Sequence, residues 1–170
     1  MKSRPRNRGL MYERRSDDGQ EASLKQQFDW AKAKSESLGV PFRGSYTDIE
    51  EMQRKRLHQK RDIYLDDAIS GGDLTRPGFR QFLKDAIADP TVSHVYVFKR
   101  DRLGRPQALL EMMTLEQELI ASGVTLVTHD KIYTPEDLKA NEMTYLIGGL
   151  VEYQEHGRFS PRLGDRIVFV

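Results

Sequence analysis

Apolar residues recur along this chain in two rhythms, and the alternation between them predicts the fold. Gly9 to Tyr12 reads as a short strand, and Ser16 to Gly19 as a polar turn. From Ser23, a suitable N-cap, Leu24, Phe28, Ala31 and Leu38 fall on one helical face until Gly39 and Pro41 stop it. Asp62 to Leu65 predicts a second strand, running into an Asp- and Gly-rich loop from Asp66 to Gly72. Arg76-Pro77-Gly78 then leads into a helix with Phe79, Phe82, Leu83 and Ala86 on one side. Val95 to Phe98 is the strongest strand. Pro106 opens a long helix carrying Leu109, Met112, Met113, Leu119 and Ile120. Gly123 ends it, and Val124 to Val127 is a further strand.

Thr134-Pro135-Glu136-Asp137 starts a last helix, with a cap, a first-turn proline and acids near the positive end of the dipole. Met143, Leu146, Ile147, Leu150 and Val151 follow at helical spacing. Strands alternating with helices predict an α/β fold: a three-layer sandwich around a central, mostly parallel sheet of about four to five strands, with a C-terminal helix. Residues 45–61 are open to two readings. Ile49, Met52 and Leu57 line either a thin apolar stripe on a basic helix or a mobile insertion. The expected organisation is a basic arm over residues 1–8, one domain over 9–155 with an insertion at 45–61, and an irregular tail over 156–170.

Composition narrows the chemistry. No cysteine is present among 170 residues, which removes disulfides, thiolate nucleophiles and thiolate zinc sites. Four scattered histidines show no metal-ligand spacing, and no apolar run reaches the length of a membrane span. The expectation is a cytoplasmic protein with no structural metal and no membrane span. The net charge of +1 is uninformative, but its distribution is not. Cations cluster at Lys2 to Arg15, at Arg54 to Arg61, and at Lys99 to Arg105. Such clusters mark a localised anion-binding surface or a solvated face. For Arg54 to Arg61 both readings stand.

In parallel sheets, ligands gather at the carboxyl ends of the strands. Three polar groups belong there: Tyr12-Glu13-Arg14-Arg15-Ser16, the Asp66 loop with Arg76, and Lys99-Arg100-Asp101-Arg102-Leu103-Gly104-Arg105. Guanidinium groups are always charged and match the non-bridging oxygens of a phosphodiester with paired hydrogen bonds. Several of them can stabilise the charge that builds as a hydroxyl attacks phosphorus. Nearby cations lower the pKa of a serine hydroxyl, and Asp101 or an arginine could supply the leaving oxygen with a proton. Arginine-rich turns also serve structural ion pairs, and spacing alone does not choose between the two.

Four motifs in order resemble those of the serine recombinases, the family of resolvases, invertases and large transposon and phage integrases. Tyr12, Arg14 and Ser16 match Tyr-x-Arg-x-Ser. Gln20, Ser23, Leu24 and Gln27 match Gln-x-x-Ser-Leu-x-x-Gln. Asp66, Ser70 and Gly71, then Arg76, Pro77 and Gly78, match an Asp-x-x-x-Ser-Gly loop followed by Arg-Pro-Gly. Asp101, Arg102, Leu103 and Arg105 match Asp-Arg-Leu-x-Arg. The resemblance covers Leu10 to about Glu155 and implies a resolvase-like catalytic domain. It implies Ser16 as a nucleophile that joins to a DNA 5′ phosphate, and Arg14, Arg76, Arg102 and Arg105 as the phosphate-binding group. Asp101 and Asp66 would organise them, with Gln20, Gln27, Lys99 and Tyr12 in support. It implies double-stranded DNA as partner, no metal or nucleotide cofactor, and self-association as dimers that pair into a tetramer on DNA. Met143, Leu146, Ile147, Leu150 and Val151 are the candidates for the dimer contact, or else pack an ordinary core.

Family members carry a DNA-binding region after this domain. Here the residues after Glu155 hold no recognition-helix pattern and contain Pro161 and two glycines. An alternative expectation follows: a catalytically incompetent fragment that acts only in oligomerisation or regulation. A small-molecule phosphohydrolase is the third reading, without a glycine-rich phosphate loop to favour it.

Overall fold

The computed structural model of the chain describes residues 8–16, 23–69, 77–98, 117–119 and 121–140. They form a six-stranded sheet flanked by helices. In chain order come β1 (Arg8–Ser16), α1 (Leu24–Leu38), α2 (Tyr46–Lys55), β2 (Gln59–Lys60), β3 (Ile63–Ile69), α3 (Pro77–Ala88), β4 (Val92–Val97), β5 (Thr125–Val127) and β6 (Ile132–Tyr133), before a short helix at Pro135–Ala140. The order across the sheet is β2-β3-β1-β4-β5-β6. β3, β1, β4 and β5 run parallel, and the two edge strands pair antiparallel.

This is a doubly wound sheet. Alternate β1 residues enter opposite layers, as strand geometry requires. Leu10 and Tyr12 join Phe79, Phe82, Leu83 and Ala86 of α3 on one face. Met11 joins Leu24, Phe28 and Ala31 of α1 and Ile49 and Met52 of α2 on the other. β4 is covered on both faces: all six of its residues are buried, Ser93 and His94 among them.

Several boundaries differ from the sequence expectation. β1 continues four residues past Tyr12, so Ser16 closes the strand instead of opening a turn. β3 runs to Ile69, which puts Asp66 and Asp67 in a strand and not in a loop. Parallel pairing with β1 carries both extensions, because polar residues lengthen a strand when a neighbour takes their backbone groups. Residues 45–61 form α2 and the edge strand β2, packed on the domain. Ile49 and Met52 make the apolar stripe, but Leu57 is exposed. α2 starts with a reciprocal capping box between Ser45 and Asp48. The two-residue strands β2 and β6 are too short to show a period, which is why the sheet has six strands instead of four to five.

At the amino edge, buried Asp62 clasps the sheet. It accepts from the Arg43 backbone N–H at 2.7 Å and from Arg43 Nη2 at 3.0 Å, and it pairs with Arg8 Nε at 3.2 Å. The carboxyl edge is different: there the polar groups belong to the expected site.

Candidate active site

The chain order around β1 creates the site. The first connection carries the chain from β1 to β3 on one side, and the next returns past β1 to β4 on the other. The carboxyl ends of β1 and β4 therefore flank the switch point, the place where α/β sheets open a crevice. Tyr12 pairs with Val97, so both strands leave at the same edge. From β1 the chain delivers Arg14, Arg15 and Ser16, and from β4 it passes through Phe98 into Lys99. Phe98 is held where it exits: its carbonyl accepts from His129 N at 2.8 Å, and Trp30 and His129 lie against its ring at 5.6 and 4.7 Å.

β1 outruns β4 beyond Tyr12, and its backbone finds other partners. Gln27 of α1 acts as a stand-in strand. Its Nε2 donates to the Arg14 carbonyl at 3.0 Å, and its Oε1 accepts from the Arg14 N–H at 3.4 Å. Gln27 is buried, as such a bridge must be to exclude water. On the other side Arg14, Arg15 and Ser16 pair with Asp66, Asp67 and Ile69, and the register slips between Arg15 and Ser16. A bulge at that point breaks the strict alternation of the strand beside the serine. Arg14 itself is buried, its guanidinium stem enclosed by the domain.

Asp66 is the organising carboxylate of the described part. It is fully buried and accepts three hydrogen bonds: from Tyr12 Oη at 2.9 Å, Gly78 N at 3.0 Å and Phe79 N at 2.9 Å. Two of these donors are orphan amides in the first turn of α3, where an anion also meets the positive end of the dipole. The Arg-Pro-Gly motif acquires a physical reason. Pro77 opens the helix, where its missing N–H costs nothing. A Cβ on Gly78 would sit 2.6 Å from the Leu65 carbonyl, so only glycine lets α3 approach β3 this closely. Tyr12 completes the arrangement, with Phe79 and Phe82 each 5.5 Å from its ring while its hydroxyl donates to Asp66.

Two groups at this edge escape sequence reasoning. Arg15 forms a two-pronged ion pair with Asp67, at 2.8 and 3.2 Å, and Gln53 of α2 also donates to Asp67 at 3.0 Å. Cross-strand register sets this contact, and nothing in the one-dimensional pattern signals it. Glu13 is the second. It is fully buried on the α1 side, and among the described residues neither carboxylate oxygen has a hydrogen-bond partner. Burial first, then the charges of Asp29 and Asp67, push its pKa well above the ordinary glutamate value. Its place between two residues of a matched motif was the available signal.

The side chain of Ser16, and all of Gln20, Arg76, Lys99, Asp101, Arg102, Arg105, Met143, Leu146, Ile147, Leu150 and Val151, lie outside the described residues. Among the described residues, no group of three or more His, Asp or Glu side chains could hold a metal, and no helix is long and apolar enough to cross a membrane.

The comparisons with known proteins agree with this layout. The family described as Resolvase, N terminal domain, matches residues 43–158, a span that begins after β1 and α1 and so excludes the Tyr12–Ser16 motif. The crystal structure of the N-terminal catalytic domain of TP901-1 integrase superimposes with a TM-score of 0.57 at 18% identity, over 90% of this chain and all of that one. This likeness shows the fold. No curated protein matches the chain in sequence.

Proposed function

Because this chain belongs to the resolvase family through its N-terminal domain, the catalytic domain of a recombinase, we propose that it cleaves and rejoins double-stranded DNA through a covalent 5′-phosphoserine on Ser16. One observation carries the reading. β1 and β4 are adjacent and parallel, so the strand that ends in Ser16 and the strand that leads to Lys99–Arg105 leave the sheet together at its switch point.

In the proposed reaction the Ser16 oxygen attacks the phosphorus, a Ser–O–P bond forms, and the bond from phosphorus to the 3′ oxygen breaks. The serine gives up its proton and the 3′ oxygen gains one, with Asp101 or an arginine assisting. Arg14, Arg76, Arg102 and Arg105 neutralise the phosphate oxygens, which supplies charge stabilisation without a metal. The phosphoserine ester keeps the energy of the broken bond, so rejoining needs no nucleotide. Asp66 serves by fixing the start of α3, the helix that Arg76 directly precedes in the chain. Gln27 serves by holding the backbone of Arg14, two residues before the nucleophile, and Gln20, Lys99 and Tyr12 support the same edge. The active assembly is a tetramer of paired dimers, with Met143, Leu146, Ile147, Leu150 and Val151 at the dimer contact.

The test is a trapped adduct. Incubation with a nicked suicide duplex or a supercoiled plasmid, followed by denaturing electrophoresis, yields a DNA-linked protein band from wild type and none from Ser16→Ala. Chelation with EDTA leaves the yield unchanged. Adducts that survive Ser16→Ala, or that map by mass spectrometry to another residue, overturn the assignment.

A further inference from the structure

The second basic cluster, at the end of α2, finds its place in the tertiary structure. α2 rises beside β3 so that Gln53 reaches Asp67, which in turn holds Arg15, the neighbour of Ser16. Leu65 N donates to the His58 carbonyl at 3.0 Å, so His58 lies alongside Leu65. β2 runs antiparallel to β3, and Arg56 and Leu57 therefore sit further toward the carboxyl edge. Arg54, Lys55 and Arg56 are all exposed there. Lys55 is paired with Glu51 at 3.0 Å, while Arg54 and Arg56 make no ion pair or hydrogen bond among the described residues.

Arg56 also occupies strained backbone. It is the C-cap of α2 with φ 55° and ψ 45°, a conformation that favours glycine. The other non-glycine residue with positive φ among the described residues is Arg61, at φ 53°. Arg61 lies at the opposite edge of the sheet and faces Asp48 at 3.7 Å. A side chain at Arg56 thus costs backbone energy without an ion pair or side-chain hydrogen bond among the described residues in return. Complementing the helix dipole explains Arg54 and Lys55, which lie in the last turn, but not a strained arginine beyond it.

We infer that Arg54 and Arg56 are a DNA-backbone contact that flanks the cleaved phosphate, extending the catalytic edge outward past β3. The inference rests on the recombinase reading above and adds a surface to it. Neighbouring strands lie about 4.8 Å apart, so the edge at β2 is about 10 Å from β1. That distance is about three steps of rise along a DNA strand. Two guanidiniums there grip the same strand, or its partner, a few phosphates from Ser16. The contact gives affinity and register, and no sequence preference.

Fluorescence anisotropy of a labelled duplex, across about 50 to 200 mM salt, tests this. Removing two phosphate contacts lowers the magnitude of the slope of log K against log salt by about 1.8, at about 0.9 per contact. R54Q/R56Q is expected to show that drop, with binding weaker by roughly tenfold or more at the lowest salt. R56G is the second variant. It relieves the backbone, so the melting temperature rises while DNA affinity falls. R61Q, which removes one such charge at the far edge, leaves the slope unchanged. The suicide-duplex assay runs in parallel. Wild-type adducts with an unchanged slope in R54Q/R56Q overturn this inference alone. Absence of both adducts and binding in wild type overturns the recombinase reading and this contact with it.

Discussion

Replacing Asp66 by alanine removes the acceptor on which three elements converge. The Oη of Tyr12 in β1 and the amides of Gly78 and Phe79 in α3 all donate to this one buried carboxylate of β3. A hydrogen bond to a charged group is worth about 1.5–3 kcal/mol. Simple addition would overshoot, because the substitution also relieves the carboxylate of its own desolvation. Water reaches the orphaned amides only in part, since Gly78 and Phe79 are buried. The net cost is therefore about 3–5 kcal/mol, the range for removing one partner from a buried charged network. For a chain of this size that lowers the melting temperature by roughly 10 °C. Urea unfolding followed by circular dichroism measures it, with the midpoint falling and the slope unchanged. Tyr12→Phe alone costs about 1 kcal/mol, and in the double variant most of that cost disappears, because the phenol has already lost its acceptor. A loss below about 1 kcal/mol for Asp66→Ala, or strict additivity with Tyr12→Phe, would refute Asp66 as the joint between β1, β3 and α3.

Glu13→Gln tests the buried carboxyl. A carboxyl whose folded pKa is raised favours the folded state below the unfolded pKa, and that stability is lost as pH rises through the folded pKa. The variant should be more stable than wild type by about 1–3 kcal/mol at pH 8 and should lose wild type's decline in stability between acidic and alkaline pH. Identical pH profiles for the two would show that Glu13 finds a counter-charge. Gly78→Ala drives a methyl group against the Leu65 carbonyl, and backbone cannot swing aside as a side chain can. A destabilisation of about 1–3 kcal/mol is expected by the same unfolding measurement, together with fewer DNA adducts. A neutral Gly78→Ala would mean that α3 can draw back from β3.

The pattern of the chain contained much of this fold because burial repeats with the period of each element. Leu24, Phe28 and Ala31 face the core from α1, and Phe79, Phe82, Leu83 and Ala86 face it from α3, as their spacing implies. The edge to which β1 and β3 carry Arg14 and Asp66 was legible too, since parallel strands joined by helices end on one side. The chain-order match of Tyr12, Arg14, Asp66 and Gln27 to a family pattern pointed at residues that are buried and mutually organised. Short edge strands and the polar ends of β1 and β3 were not legible. Their strand state comes from a neighbour that takes their backbone hydrogen bonds, and neither propensity nor period records a neighbour.

Local chemistry along the chain determined the alternation of helix and strand, the capping at Ser23, the glycine stop at Gly39 and the kinds of group able to hold a phosphate. Only tertiary structure decided that Tyr12 and Gly78 would share Asp66, that Arg15 would be tied to Asp67, and that Glu13 would be sealed in without a hydrogen-bond partner among the described residues. It also brought the basic end of α2 to the edge that carries Ser16. The physical reason is that these contacts join residues far apart in sequence, and their geometry is set by strand order and register, which exist only once the sheet has formed.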